Sequence, residues 1–183
     1  MKVLLILTGK TDNSHISSLM ENYERRLSHY NIGFSLQVVP DLKNSRNLSE
    51  SQQKNAEGGN VLKLIQPGDF VVLLDEHGKE FTSIGFAKWI ESKSHTVPKR
   101  LIFVIGGPYG FSDDMYQRSN AKISLSQMTF SHQMVRLIFL EQLYRAMTII
   151  KGEPYHHEWS TLYWSFWYSW EFLNTFVYPL VFS

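Results

Sequence analysis

The segment Phe103–Phe111, which reads Phe-Val-Ile-Gly-Gly-Pro-Tyr-Gly-Phe, decides the fold class of this 183-residue chain. The apolar run that enters it has the continuous hydrophobicity of a strand covered on both faces, and Gly106, Gly107 and Pro108 end that strand. A polar loop and a long helical pattern follow. Ligands of open α/β sheets bind at the carboxyl ends of the strands, so we expect the functional crevice directly after this strand.

Strand and helix patterns alternate over the first 151 residues. Strands are predicted at Lys2–Leu7, Phe34–Val39, Phe70–Asp75 and Leu101–Ile105, and helices at Ser14–Tyr30, Thr82–Lys93 and Ser131–Lys151. Residues 41–60 read as a polar loop, followed by a helix with an ill-defined start that includes Val61–Ile65. This alternation predicts the α/β class, with a mainly parallel sheet and helices on both faces.

The composition limits the kinds of binding partner and the cellular compartment that fit this chain. Eighteen Lys and Arg against seventeen Asp and Glu leave a net charge of +1, so an RNA partner has to be recognised locally rather than held by overall charge. The sequence has no Cys, which rules out disulfides and thiolate metal sites and suits a reducing compartment. We therefore expect a cytoplasmic protein.

The last 25 residues, Trp159–Ser183, have a different composition from the rest. Eleven of them are Trp, Tyr or Phe, and Glu171 is their one charged residue. The segment is long enough to reach across a bilayer, but serines, Asn174 and Pro179 interrupt it, and Trp and Tyr favour the interface. Docking on the domain or on a partner subunit, or a non-native extension, is favoured over membrane contact. Residues 1–158 are predicted to form one domain and residues 159–183 an extension of unknown role.

Several short motifs extend the pattern from the first strand to the end of the predicted domain. They occur in the following order: Leu74-Asp75, Gly78-Lys79, Phe103–Pro108, Gln117–Asn120, Met128–Phe130, His132–Met134, Glu141-Gln142, Tyr144–Ala146 and Tyr155-His156. With these motifs, residues 1 to about 158 resemble the SPOUT-class ribosomal RNA large subunit methyltransferase H family (RlmH).

The resemblance implies a fold, a reaction and a set of ligand-binding residues. It implies an α/β domain with a C-terminal trefoil knot, a homodimer, and methyl transfer from S-adenosylmethionine to N3 of a pseudouridine in bacterial 23S rRNA. Ser131 departs from the family, whose members usually have Pro there, so the loop is expected to be less rigid and the hydroxyl to be free to cap the next helix. The residues expected to bind the donor are Leu74, Gly106, Gly107, Ser126, Gln127, Met128, Thr129, Phe130 and Ser131.

The chemistry of the donor is compatible with these residues. A sulfonium and an adenine need an apolar slot with backbone hydrogen bonds, and Gly106-Gly107 permits close approach because neither residue has a Cβ. Two glycines alone are equally typical of a simple turn.

Methylation of a ring N–H requires a base, and cations that stabilise the developing anion. At about 100° per helical residue, His132 and Arg136 share one face, whereas Glu141 and Arg145 lie nearly opposite. We therefore expect a composite site at a dimer interface, to which the two pairs contribute from different subunits. The candidate catalytic residues are His132, Arg136, Glu141, Arg145, Tyr155 and His156.

Simpler roles compete with these assignments. Glu141 and Arg145 also suit a surface ion pair, and His132 suits a plain helix start. Tyr144, Met147 and Ile150 are expected in the core. No metal is expected, because no suitably spaced third ligand accompanies Tyr155–His157. Stacking of Tyr155 or His156 on a base fits better.

Two other functions stay open at this point. The first is a noncatalytic ribosome-binding protein of the same fold. The second is a SPOUT methyltransferase that acts on tRNA, although the aromatic extension lacks the Lys and Arg expected of an RNA-binding segment. Modification of assembled ribosomes is the leading expectation, since a nearly neutral chain has little charge with which to hold free RNA.

Overall fold

All strand pairs in the sheet are parallel, as the alternating pattern predicts. The structure is a computed structural model that describes residues 1–42 and 47–155. Its strands are β1 (Lys2–Thr8), β2 (Ser35–Val39), β3 (Phe70–Glu80), β4 (Arg100–Ile105) and β5 (Ala121–Ser124). Its helices are α1 (Ser14–Ser28), α2 (Glu50–Leu62), α3 (Ser83–Thr96), α4 (Asp113–Arg118) and α5 (Met134–Lys151).

The sheet has the order β2-β1-β4-β3-β5, with β4 at its centre. Phe103 of β4 lies between Leu5 of β1 and Val72 of β3. Because helices cover both faces, β1 from Val3 and β4 from Leu101 are buried along their whole length. The fold class is therefore confirmed. The trefoil knot implied by the resemblance stays a prediction.

Side chains alternate between two cores because successive residues of a strand point to opposite faces. One face, which carries Leu5 and Phe103, packs on α1, α3 and α5, where Phe139 lies 4.7 Å from the Phe103 ring centre. The other face, which carries Ile6 and Val104, packs on α2 and α4 through Val61 and Met115.

Side chains placed just before the first helical residue cap the starts of α1, α2, α3 and α4. Asn13 Oδ1 accepts hydrogen bonds from the backbone N–H of His15 and Ile16 at the start of α1, and Thr82 Oγ1 accepts one from Gly85 at the start of α3. Gly152 ends α5 with a φ of 68°, a left-handed conformation that glycine adopts without strain.

The prediction of a loop for residues 41–60 is wrong over its second half, which is helical. Of the predicted helical segment Val61–Ile65, only the first two residues belong to α2. A capping box between Ser49 and Gln52 starts α2 at Glu50, well before the apolar residues begin. Gly58, which reads as a helix breaker, is tolerated because it packs closely against Ser112. Residues 63–65 form a turn after the helix.

Other differences from the sequence-based prediction concern the start of α5, the end of β3 and two short elements. Helix α5 begins at Met134 rather than at Ser131, although Ser131 Oγ accepts a 3.3 Å hydrogen bond from Met134 N. Strand β3 continues past Asp75 to Glu80, with a register shift between Leu74 and Lys79 that bends the strand edge. The short elements α4 and β5 were not predicted.

Candidate functional site

A crevice of about 600 Å³ lies at the carboxyl ends of β4 and β5, beside the middle of β3. Its walls come from these parts of the three strands and from the loop that leads into α5. The residues that line it are Leu74–His77, Ile105–Phe111, Tyr116, Ile123–Ser126, Met128–His132 and Val135. The crevice therefore lies directly after β4, where the sequence predicts it.

The Gly-Gly-Pro stretch forms a tight turn at the end of β4. Gly110 N donates a 3.1 Å hydrogen bond to Gly107 O, and Gly110 has a φ of 78°. A Cβ on Gly106 would lie 3.1 Å from Phe111 Cε1 and 3.2 Å from Gly110 O, so a side chain there would disturb the turn. Backbone atoms thus form this part of the crevice wall.

The loop before α5 is organised by serine hydroxyls. Ser124 Oγ donates to the carbonyl of Ser126, and Ser126 Oγ accepts from Met128 N, both at 2.9 Å. The turn leaves Met128 77% exposed and Phe130 41% exposed at the crevice. The loop therefore presents apolar side chains to a ligand or partner.

The residues expected to bind the donor line the crevice, with one exception. The lining includes Leu74, Gly106, Gly107, Ser126, Met128, Thr129, Phe130 and Ser131. Gln127 is not among the lining residues, and its Nε2 donates a 3.3 Å hydrogen bond to Glu80 Oε2. This hydrogen bond directs the Gln127 side chain to the end of β3 and away from the crevice.

The β3 side of the crevice carries hydrogen-bonded polar groups that the sequence pattern does not predict. Tyr116 Oη donates a 2.6 Å hydrogen bond to Asp75 Oδ2, and Asp75 Oδ1 accepts one from His77 N. Burial and then the bond to Asp75 raise the pKa of Tyr116 to about 12, so the phenol stays protonated at neutral pH. Asp75, at the end of a predicted strand, was the one residue of this pair that the sequence could have indicated. Tyr116 gave no such indication, because it belongs to α4, which was not predicted.

The structure separates His132 from Arg136. His132 is exposed and lines the crevice. Arg136 is 0% exposed and does not line it, and its guanidinium donates to Thr8 O at 2.7 Å and to Thr11 Oγ1 at 2.8 Å. Burial lowers the pKa of Arg136 from its usual value. The expected shared face is absent because His132 precedes the first residue of α5.

The other candidate residues form a second cluster, which we call the Glu141 cluster: Glu141, Arg145 and Tyr155. Arg145 Nε donates a 3.0 Å hydrogen bond to Glu141 Oε1, and Tyr155 Oη donates to the same oxygen at 3.4 Å. Arg145 Cζ lies 4.9 Å from the centre of the Tyr155 ring. Burial, and next a hydrogen bond with Tyr23, raise the pKa of Tyr155.

The Glu141 cluster lies away from the crevice along α5. With a rise of 1.5 Å per residue, Glu141 is about 9 Å and Arg145 about 15 Å along the axis from Val135, the last residue of α5 that lines the crevice. None of Glu141, Arg145 and Tyr155 lines the crevice. His132 in the crevice and the Glu141 cluster are therefore two separate groups of candidate residues, and the buried Arg136 belongs to neither.

The remaining expectations have mixed outcomes. Met147 is buried, and Tyr144 and Ile150 pack against the core as predicted. His156 and the whole segment 159–183 lie outside the described residues. Within residues 1–42 and 47–155, no group of three potential metal ligands is close enough to hold an ion. No helix in the same ranges has both the length and the hydrophobicity for a bilayer crossing.

Comparison with known proteins agrees with this architecture. The family described as "Predicted SPOUT methyltransferase" matches residues 1–156. The chain is 61% identical over 158 residues to a protein of Parabacteroides distasonis named "Ribosomal RNA large subunit methyltransferase H", across 86% of this chain and 100% of that protein. A protein of the same name from Christiangramia forsetii is 57% identical over 157 residues, across 86% of this chain and 99% of its own length.

A solved structure shows a similar fold at low sequence identity. It is titled as that of a probable methylase family protein from Haemophilus influenzae Rd KW20, and it aligns with a TM-score of 0.50 at 11% identity, covering 94% of this chain and 78% of its own. The ordered motifs, the parallel sheet and the extent of the sequence matches agree with one another. This chain therefore belongs to the SPOUT methyltransferase family, in the ribosomal RNA large subunit methyltransferase H group.

Proposed function

We propose that this protein transfers a methyl group from S-adenosylmethionine to N3 of a pseudouridine in 23S rRNA, in the cytoplasm and on assembled ribosomes. The observation that carries the proposal is the crevice at the carboxyl ends of β4 and β5, which is lined by all the residues expected to bind the donor except Gln127. The names of the relatives supply the RNA class. The nearly neutral net charge favours a composite ribosomal surface over free RNA.

The crevice suits the chemistry of the donor. Its volume of about 600 Å³ lies within the usual range for small-molecule sites. Leu74, Ile105 and Ile123 supply apolar surface for the adenine, while the Gly106-Gly107 backbone supplies hydrogen-bonding groups. Asp75 and Glu76, which also line the crevice, complement the positive sulfonium. The bound donor supplies an electrophilic methyl group.

His132 is our candidate for the base that accepts the proton from the ring nitrogen. Imidazole is the most frequent general base in enzymes, and this one is exposed on the loop that also carries Phe130. Tyr116 and Asp75 already share a hydrogen bond, so the Tyr116 hydroxyl is held toward the carboxylate. We assign Arg136 a positioning role, because its bonds to Thr8 and Thr11 fix α5 against the end of β1.

The Glu141 cluster, together with His156, completes the reaction centre from a second copy of the chain. Within one copy, the separation along α5 keeps this cluster away from the crevice. Exposed apolar side chains around the crevice favour contact with a partner: Tyr109, Met128, Phe130 and Met134 are each 40% exposed or more. Arg145 of the second copy would stabilise the negative charge that develops on the pseudouridine ring as its ring nitrogen loses the proton. A homodimer therefore accounts for both groups of candidate residues.

Isothermal titration calorimetry with S-adenosylmethionine tests the donor site. The wild-type protein is expected to bind, and Gly106→Val is expected to bind at least about tenfold more weakly because the added side chain disturbs the turn. Gly59→Ala is the control, since a Cβ at Gly59 meets no atom within 4 Å. A wild-type protein that is folded and shows no binding of the donor would contradict the proposal.

Mass spectrometry of RNA from cells with and without this protein tests the substrate. We expect one methylated pseudouridine to disappear from 23S rRNA when the protein is absent, and to return when the wild-type protein is supplied. Incubation of purified protein and donor with assembled ribosomes, and with free 23S rRNA, then locates the substrate. A change confined to tRNA would contradict the proposed RNA class.

A further inference from the structure

Glu57 of α2 is a buried acid next to the crevice wall. It is 9% exposed, and its Oε1 accepts a 2.8 Å hydrogen bond from Gln53 Nε2. Its Oε2 is buried and has no hydrogen-bond partner among the described residues. Buried polar atoms of this kind are rare in folded proteins and call for an explanation.

The carboxyl group of Glu57 lies directly against Gly107. An ideal Cβ on Gly107 would overlap Glu57 Oε2 and would stand 3.0 Å from Glu57 Cδ and 3.2 Å from Oε1. Gly107 is therefore a glycine because Glu57 occupies the space that a side chain would need.

One layer of backbone separates Glu57 from the crevice. Gly106 and Gly107 line the crevice on one side, and on the other they line a small cavity into which Glu57 faces. That cavity has a volume of about 10 Å³, which is close to the size of one water molecule. Any displacement of the carboxyl group is therefore passed to the two glycines, since the protein interior is closely packed.

The surroundings of Glu57 favour its uncharged form. Burial raises the pKa of Glu57, the hydrogen bond from Gln53 opposes this, and the charge of Asp41 adds to the increase. Lys54 on the same helix also lines the small cavity, while Thr8, Ser112 and Met115 face it from β1 and α4 and are not titratable. An uncharged carboxyl group keeps an O–H that can serve as a hydrogen-bond donor.

A purely structural role does not require an acid at this position. An apolar side chain of similar size would fill the space without the cost of burying a carboxyl group. Since Glu57 touches the crevice wall and nothing in the crevice itself, it cannot contact a bound donor. Its influence on a ligand has to pass through the Gly106-Gly107 backbone.

We propose that Glu57 is a positioning residue whose carboxyl group holds the Gly106-Gly107 backbone in the conformation that binds the methyl donor. This inference rests on the proposed function, because it assigns the crevice to the donor. It predicts an effect on donor binding that is separate from RNA binding and from the chemical step.

Steady-state methylation of ribosomes, with donor and RNA varied separately, tests the role of Glu57. We expect Glu57→Ala to raise the KM for the donor about tenfold or more, with the KM for RNA unchanged and kcat at saturating donor within about threefold of wild type. Glu57→Gln keeps the shape and a hydrogen-bond donor, so its donor KM should stay within about threefold of wild type. Glu50→Ala, on the exposed start of the same helix, is the control.

Glu57→Met separates positioning from simple packing. Its side chain is apolar and of similar size, so it keeps α2 in place if Glu57→Ala does not fold. We expect the donor KM of Glu57→Met to rise as well. The inference would be overturned if the donor KM of Glu57→Met equalled that of wild type. It would also be overturned if Glu57→Gln raised the donor KM as much as Glu57→Ala does. Absence of donor binding by the wild-type protein would instead contradict the proposed function.

Discussion

His132 and Arg136 are four positions apart, yet one side chain is exposed in the crevice and the other is fully buried. Helical geometry would place them on one face, but α5 begins between them, at Met134. Arg136 then turns inward to the backbone of Thr8 at the end of β1. Equal spacing in the sequence therefore conceals two different roles.

Replacement of His132 by Ala is expected to reduce activity without affecting stability. If His132 is the general base, kcat/KM should fall by about 10² to 10⁴. Because the side chain is exposed, the free energy of unfolding should change by less than about 0.5 kcal/mol. Methyl transfer to ribosomes and thermal unfolding measure the two effects.

The control for this prediction is His15→Ala, on the exposed surface of α1. Its activity and stability should both match those of wild type. Full activity of the His132→Ala variant would show that another group accepts the proton.

Helix α2 contains two neighbouring glycines, of which only Gly59 has room for a side chain. An added Cβ at Gly58 would overlap Ser112 Oγ and lie 3.1 Å from Met115 Cγ, whereas one at Gly59 meets no atom within 4 Å. We expect Gly59→Ala to stabilise the protein by about 0.5 to 1 kcal/mol, because alanine loses less backbone entropy in a helix. Gly58→Ala should destabilise it by about 1 to 3 kcal/mol through overpacking.

Urea unfolding of the two alanine variants measures these changes. Each variant is the control for the other, since both have the same helix propensity. A stabilised Gly58→Ala would show that α4 moves away from α2 at little cost.

At the amino ends of β3 and β4, the buried carboxylate of Asp69 links the turn before β3 to the first residue of β4. The Asp69 side chain is 0% exposed, and it accepts hydrogen bonds from Arg100 Nε at 2.9 Å and from Gln66 N at 2.7 Å. Burial alone raises the pKa of Asp69, but the bonds from Arg100 and Gln66 outweigh it, so the pKa lies below its ordinary value of 3.8. The carboxylate therefore stabilises the fold above about pH 4, and this contribution is lost as pH falls through the lowered pKa.

We expect Asp69→Asn to reduce the free energy of unfolding at pH 7 by about 2 to 3 kcal/mol, because Arg100 loses its charged partner. The difference from wild type should narrow as pH falls from about 4 through the lowered pKa of Asp69, where the carboxylate of the folded wild-type protein becomes protonated. Denaturant unfolding at pH 7 and pH 3 measures both values. Glu91→Gln, on the exposed surface of α3, is the control, and a difference that did not depend on pH would contradict this account.

For the whole molecule, the two separate groups of candidate residues make the dimer testable. Co-expressed His132→Ala and Arg145→Ala chains with different tags yield purified mixed dimers. If each reaction centre takes His132 from one copy and Arg145 from the other, one of the two centres in a mixed dimer is intact. We then expect about half of wild-type activity from mixed dimers. Mixed dimers as inactive as either parent would contradict a shared site.

Removal of residues 159–183 is expected to preserve or raise activity. The relatives align over essentially their whole length with 158 residues of this chain, and the aromatic extension follows the Tyr155-His156 pair predicted at the reaction centre. Methylation of ribosomes and thermal unfolding of the truncated protein test this expectation. Complete unfolding of the truncated chain would show that the extension is part of the domain.

Local sequence patterns predict the fold class and the position of the crevice. Continuous apolar runs at Phe70–Asp75 and Leu101–Ile105 predict buried parallel strands, because strand periodicity and hydrophobicity are local properties. The Gly-Gly-Pro stretch after the second run predicts the binding edge. The local pattern did not predict the first part of α2. This helix starts at a capping box and contains a closely packed glycine, and its first part lacks the apolar residues that would have indicated a helix.

Which side chains contact one another depends on the packing of the folded chain. Contacts between Glu57 and Gly107, between Arg136 and Thr8, and between Tyr116 and Asp75 join residues that are distant in the chain. No local periodicity predicts such pairs, because they depend on how helices seat against the two faces of the sheet. For the same physical reason, the sequence proposes Arg136 as a catalytic residue, whereas packing against β1 buries it away from the crevice.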